Sequence, residues 1–368
     1  MEIDSRKPAA SVLGSLAQHS AALTSLRLKL SNGAISDSES EYTRLCAMLR
    51  ETSSLQEIDL DSDFGDELWQ AVASLPLLKS LKISHRDEST TPTSPAMFPA
   101  LTSLELNTSM PSSVTPMIQH VQFPSLQSLT LAFPPDAISY VGKRRTRPCF
   151  AAIAEACSSA PLTHLEIKTN DSTIPLYLTR ISSIVSDDVR PLLRLTRLRH
   201  VNIHPRWPWD LDDNLFTEMV HAWPDVQLLF LDPSYRWKSP SRITLQGLES
   251  VATHYHIQTL GVVLDASVPA LAKEDPISFD SIPAYTQKNT SLRNLHVGSS
   301  VIDSAAYVTV FLHSLFPKLD NLQAHSGRKK EDTPTVWRDV KDFLPAARRI
   351  SAQARKEVQN RGIEVQTA

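Results

Sequence analysis

A short aliphatic line recurs along the chain, with polar residues held in its gaps. Written as aliphatic-x-x-aliphatic-x-aliphatic, it is matched eleven times, from "LTSLRL" at Leu23 to "LDNLQA" at Leu319. The starts between are Leu55, Leu78, Leu101, Leu126, Leu162, Leu198, Val226, Ile257 and Leu292, 23 to 36 residues apart. Within each line the second and third aliphatic positions alternate with polar ones, the period of a half-buried strand. Between the lines lie stretches of helical spacing. Tyr42, Leu45, Met48 and Leu49 share a face behind Ser36 and Asp37, and Leu68, Val72 and Leu75 line up behind Asp63. Two further helices are expected to start from Asp212 and Asp303, each acid accepting otherwise unpaired N–H groups of a first turn. A proline precedes many of the lines (Pro76, Pro99, Pro124, Pro161, Pro224, Pro317) and stops the helix before the next strand.

One strand and one helix of this size cannot bury their apolar faces alone; stacked copies can. The pattern therefore predicts an α/β solenoid, a horseshoe or arc, with a parallel β-sheet on the concave face and helices and irregular segments on the convex face. Residues 1–326 form a single repeat array of about eleven irregular units. Residues 327–368 are expected to be a charged linker and a basic capping helix interrupted by Pro345.

The lines resemble leucine-rich repeats (LxxLxLxxN/C) of the long, helix-containing, ribonuclease-inhibitor-like type. With openings such as "FPALTSLEL", "FPSLQSLTL" and "FPKLDNLQA" they are most similar to the repeat region of fungal F-box/leucine-rich-repeat proteins. The likeness spans roughly residues 10–326. It departs at the ninth repeat position, where only Asn170 supplies the family's Asn or Cys. The resemblance implies a protein-binding module, the substrate-recognition part of a ubiquitin-ligase receptor. An F-box would precede the repeats and dock a ligase adaptor, but only 22 residues precede Leu23 and they already look like the helix of a first repeat. A free-standing scaffold without ubiquitin coupling is the alternative.

Composition narrows the classes. A net charge of −3 supplies no basic excess for nucleic acid or an anionic membrane. No stretch approaches the length of a membrane span. Cys46, Cys149 and Cys157 are too few and too scattered for a disulfide framework or a closed zinc site, which points to the cytoplasm or nucleus. Asp59, Asp61 and Asp63 have the spacing of a calcium loop, but Phe64 and Gln70 stand where Gly and Glu are required. His200 and His204 fall on the solvent side of one strand, and they and the pair His254 and His256 read as surface histidines. No nucleophile, phosphate-loop or metalloprotease motif occurs, so no catalytic residue, cofactor or metal is expected; an enzyme with a cleft in the 126–198 insertions is the remote alternative.

The candidate partner-binding residues follow from the register. Loops after two consecutive lines carry Trp207 and Trp209, and Tyr235, Arg236 and Trp237. They are expected to gather on one rim as an aromatic hot spot for a protein or peptide. Glu166, Lys168, Asn202, His204, Phe230 and Asp232 are expected on the concave face beside it.

Overall fold

In the computed structural model of the 368-residue chain, the described residues are 2–4, 23–29, 39–61, 65–85, 94–134, 146–169, 183–234, 237–268, 288–324 and 335–366. They form two compact units, Met1–Trp207 and Pro208–Ala368, a division that no shift in the sequence pattern marks.

The first unit is built on eight parallel strands in chain order: β1 (Glu2–Asp4), β2 (Ser25–Lys29), β3 (Glu57–Asp61), β4 (Ser80–His85), β5 (Ser103–Thr108), β6 (Ser128–Phe133), β7 (His164–Thr169) and β8 (His200–His204). The second carries four more: β9 (Leu228–Phe230), β10 (Thr259–Gly261), β11 (Asn294–Gly298) and β12 (Asn321–Ala324). From β2 onward, every strand starts two residues after the first aliphatic residue of its line.

The reason lies in one repeated hydrogen bond. The carbonyl of Thr24 accepts the N–H groups of both Gln56 and Glu57, the carbonyl of Gln56 those of Lys79 and Ser80, and the carbonyl of Lys79 those of Thr102 and Ser103. The series continues through Thr102, Gln127 and Thr163, and in the second unit through Gln227, Gln258 and Arg293. Each repeat thus pins the entry of the next strand at the same register, which a slip of one residue would invert face for face. Every aliphatic framework residue except Leu23 is buried, while the residues between them, Gly261 apart, are exposed or half-buried.

Four helices of the first unit form a second layer: α1 (Glu39–Glu51), α2 (Asp66–Ala73), α3 (Pro111–Ile118) and α4 (Thr146–Ala156), with α1 packed on α2 and α3 on α4. A four-residue turn of helix, α5 (Ser186–Val189), follows. In the second unit lie α6 (Asp213–Ala222), α7 (Glu249–Ala252), α8 (Ala305–Leu315) and α9 (Thr335–Gln366), the last packed on α8. Leu45, Met48, Leu49, Leu68 and Val72 are buried, as their spacing predicts.

One helix start agrees with expectation, two differ, and one expected interruption is absent. Asp212 caps α6 by accepting the Leu215 N–H at 3.0 Å. The residue before α8, however, is Ser304 rather than Asp303, its hydroxyl accepting the Tyr307 N–H. Gly65 stands before α2 with no side-chain cap, and Asp63 lies outside the described residues. α9 runs unbroken through Pro345, because tertiary packing holds it on both sides: Trp337 and Leu344 are buried before the proline or beside it, and Ser351 beyond it bonds His313 at 2.8 Å.

The residue ahead of the stop proline makes a further seam. Phe98, Phe123, Trp223 and Phe316 are all buried. In the first unit Phe98 stacks on Phe123 at 5.6 Å and meets Trp69 edge-on at 5.1 Å. In the second, Trp223 and Phe316 end α6 and α8 with nearly the same extended turn, the backbone that a following proline imposes. The ring fills the interior in every case, but the proline ends a helix only after Trp223 and Phe316. Phe98 and Phe123 follow the two-residue strands Ala96–Met97 and Val121–Gln122, so Pro99 and Pro124 do not stop a helix as expected.

Alternation gives a direct test. Replacing Leu106 with Ala is expected to cost about 2–5 kcal/mol, as for other buried leucines, whereas Glu105→Ala one residue away loses an exposed pair worth about 0–1 kcal/mol. Urea midpoints of the two variants measure the contrast.

Candidate functional site

The outward residues of β2 to β8 fall into rows because the strands pair in register. The middle row reads Arg27, Asp59, Lys82, Glu105, Thr130, Glu166, Asn202. At its start the charges alternate and consume one another: Arg27 Nε lies 2.9 Å from Asp59, and Lys82 Nζ 2.8 Å from Glu105. Asp59, a strand residue as expected, is thus committed to an arginine. A shallow trough of about 350 Å³ runs over this part of the sheet, floored by Leu26, Ile58 and Leu81.

At β7 and β8 the composition changes. Glu166 is the hub: one carboxylate oxygen accepts Lys168 Nζ at 3.0 Å, and the other meets Asn202 Nδ2 at 3.4 Å and His204 Nε2 at 3.5 Å. Four residues expected to share a face are therefore in mutual contact, all half-buried. Beside them the rings of His164 and His200, partners across the strand pair, stack at 4.3 Å and 10°. Nδ1 of His164 is 2.8 Å from the Thr163 hydroxyl, while Nδ1 of His200 is shielded from solvent with no hydrogen-bond partner among the described residues. Burial, the neighbouring His164 and Arg199 together hold His200 below the usual histidine range. The stacked pair was not among the site residues expected from sequence. Its signal was present, since both histidines stand at the third position of consecutive lines.

The aromatic rim is a different matter. Trp207 and Trp209 are fully buried, so neither indole faces a partner. Trp207 packs on Phe133 at 5.4 Å in the first unit. In the second unit Trp209 does meet Trp237, stacked at 5.8 Å and 22°, and Trp237 donates Nε1–H to the Asp232 carbonyl at 3.1 Å. Their loops are tied together: Lys238 N–H donates to the Trp209 carbonyl, and Asp210 takes Lys238 Nζ at 3.1 Å and Arg242 Nε at 2.8 Å. The rings close these loops. Trp237 remains half-exposed, and Tyr235 and Arg236 lie outside the described residues.

Asp232 is not on the open face either; it is buried just past β9 with φ 42. Phe230 is on that face, laid flat over Gly261, where an added Cβ would fall 2.4 Å from its ring, and edge-on to His296 at 5.3 Å. Next to it Asn321 donates to Asn294 at 3.3 Å and Asn294 to the Thr259 hydroxyl at 3.1 Å, an uncharged row unlike the charged one of the first unit.

The remaining candidates resolve into structure. His254 is interior, bonded at Nε2 to the Trp223 carbonyl at 2.9 Å, which corrects its reading as a surface residue; His256 is exposed. Asn289, also buried, donates to the carbonyls of Val251 and His254 and accepts from Ser291 and Leu292 N–H, so it joins three repeats of the second unit. Asp188, in the 126–198 stretch, is held above the usual carboxylate range mainly by burial and accepts the Val185 N–H at 3.0 Å, a capping role. Burial pushes the thiols of Cys149 and Cys157 up to about 12 and that of Cys46 up to about 11. Among the described residues there is no group of three or more His, Cys, Asp or Glu able to hold a metal, and no helix long and apolar enough to cross a membrane.

Two outcomes follow. Trp207→Ala is expected to destabilise by about 3–5 kcal/mol, a large fall in melting temperature, because it empties a sealed interior position. All three thiols, protonated and enclosed, should resist a disulfide-exchange reagent at pH 8 until denaturant is added.

No family model matches the chain, and no curated protein matches it significantly. Among solved structures it is similar to an internalin of Listeria monocytogenes (12% identity, TM-score 0.36, covering 76% of this chain and 70% of that one). It is similar also to a chain of the yeast Rad7–Elc1 complex (14%, TM-score 0.33, 88% and 85%) and to a leucine-rich-repeat protein of Leptospira interrogans (13%, TM-score 0.29, 89% and 90%). The fold rests on the chain itself: parallel strands, nine of them opened by the same kind of shared carbonyl and floored by the same aliphatic positions, have the α/β leucine-rich-repeat architecture.

Proposed function

We propose that the chain is a non-enzymatic interaction module that captures a protein or peptide on the open face of its repeat sheet. The observation that supports this most is the register of β2 to β8, which brings polar and charged side chains from seven strands into rows on one face. Such a face offers many weak, separately placed contacts, which suit a macromolecular surface better than a small substrate. Recognition centres on Glu166, Lys168, Asn202 and His204 of the first unit; in the second unit, taken by itself, Phe230 is the apolar residue of the open face. Of the aromatic rim, Trp237 is the ring left within a partner's reach.

The resemblance of the repeat lines to fungal F-box/leucine-rich-repeat proteins supports a finer reading: substrate recognition for a ubiquitin ligase, acting in the cytoplasm or nucleus. A scaffold without ubiquitin coupling is the alternative, and purification separates the two. The ligase reading expects a cullin and its adaptor to accompany the chain; their absence, with a bound partner still present, favours the scaffold.

The face itself is tested by Lys168→Glu, which reverses the charge of the cation held by the hub. Partner proteins retained by the wild-type chain should be lost by about tenfold or more, with the melting temperature nearly unchanged since the side chain is half-exposed. Equal retention by the variant would place recognition elsewhere.

A further inference from the structure

We propose that the β7–β8 patch takes an extended acidic peptide, and that docking draws protons onto its histidines, so that capture tightens as the pH falls. The inference rests on the open face being the binding face and specifies what it binds there.

The argument begins with the charges. On the outward side of β7 stand His164, Glu166 and Lys168, and on that of β8 His200, Asn202 and His204. Arg199, exposed, immediately precedes β8. The neighbouring strand β6 presents Ser128, Thr130 and Ala132, none of them titratable. One strand further, Glu105 is held by Lys82 at 2.8 Å. Within the unit, then, the titratable groups of the patch are one carboxylate, two fixed cations and three imidazoles. Lys168 and Arg199 less Glu166 leave +1 when the imidazoles are neutral, and three protonations raise this to +4. This differs from the β2–β5 rows, where Arg27 meets Asp59, Lys82 meets Glu105 and Glu57 stands between serines, so no cationic excess is left to attract an anion.

The stack supplies the pH dependence. Two imidazoles at 4.3 Å repel when both are charged, and His200 is additionally shielded and close to Arg199, so in the unoccupied patch His200 is held below the usual histidine range. An arriving carboxylate offsets that repulsion and raises the His200 pKa. A group whose pKa rises on binding takes up a proton as it binds, and binding strengthens as pH falls toward the raised value. With the Glu166 carboxylate already engaged by Lys168, Asn202 and His204, a partner's carboxylates meet the imidazole edges and the outer faces of the cations. Residues two apart on an extended peptide lie at the spacing of outward positions on β7 and β8, so alternate acids of one segment can reach successive rows.

The probe is fluorescein-labelled hexaglutamate, titrated by anisotropy against the full chain in low salt between about pH 6 and pH 7.5, where its own carboxylates stay ionised. Binding should tighten about tenfold across that window, as expected for roughly one proton taken up. Calorimetry in two buffers of different ionisation enthalpy should register that uptake. Hexalysine and a Gly-Ser hexapeptide should not bind. The double variant His164→Gln/His200→Gln should retain the weak pH 7.5 affinity but lose the tightening, and His200→Gln alone provides the same reading in a milder form should the double variant melt early. Lys168→Gln should weaken binding at every pH. Absence of hexaglutamate binding at pH 6, equal binding of hexalysine, or an undiminished pH slope in the histidine variants overturns the proposal. If Lys168→Glu abolishes partner capture while hexaglutamate shows no pH slope, the face stands and the acidic-peptide inference alone falls.

Discussion

The carbonyl at the second position of each line, shared between two N–H groups of the next repeat, is the constraint from which the rest follows. It repeats through both units at donor–acceptor distances of 2.8–3.1 Å. A parallel strand pair has no tight turn to set its register, so something must fix where each strand begins. Here the backbone fixes it before the strand starts. The three aliphatic side chains then face inward in every repeat, and what lies between them must face out.

Surface chemistry is a consequence of that geometry. Because outward positions align row by row, a side chain's neighbour is set by the corresponding residue one repeat away rather than by its own sequence surroundings. Arg27 meets Asp59 across 32 residues, and His164 meets His200 across 36. Repeats of quite different length still deliver their third, fifth and seventh positions to the same rows. The insertions absorb the difference in length, and through β2–β8 the register is unaffected. A row can therefore be neutralised in one stretch, as over β2–β5, and left unbalanced in another, as over β7–β8.

Aromatic residues divide between two duties that composition cannot distinguish. Trp207 and Trp209 sit beside arginine and proline in a loop, the surroundings of a surface hot spot, yet both are interior. A loop leaving a strand must still cover the end of the apolar layer beneath it, and a large ring does so with little conformational entropy lost. Phe230 shows the opposite case. It is a strand residue held flat on the open face because Gly261, its register partner, has no side chain to lift it.

The sequence alone determined the class, the inward seam and the rows, since period-two alternation repeated eleven times admits one arrangement of parallel rungs. It also placed Glu166, Lys168, Asn202 and His204 on one face, and the helix cap at Asp212. Tertiary structure decided what periodicity does not encode: the burial of Trp207, Trp209, Asp232 and His254, the capping by Ser304, and the continuation of α9 through Pro345. Each of these depends on what packs against a residue from a distant repeat. Local pattern reports which way a side chain points, whereas burial depends on whether another part of the chain is there to meet it.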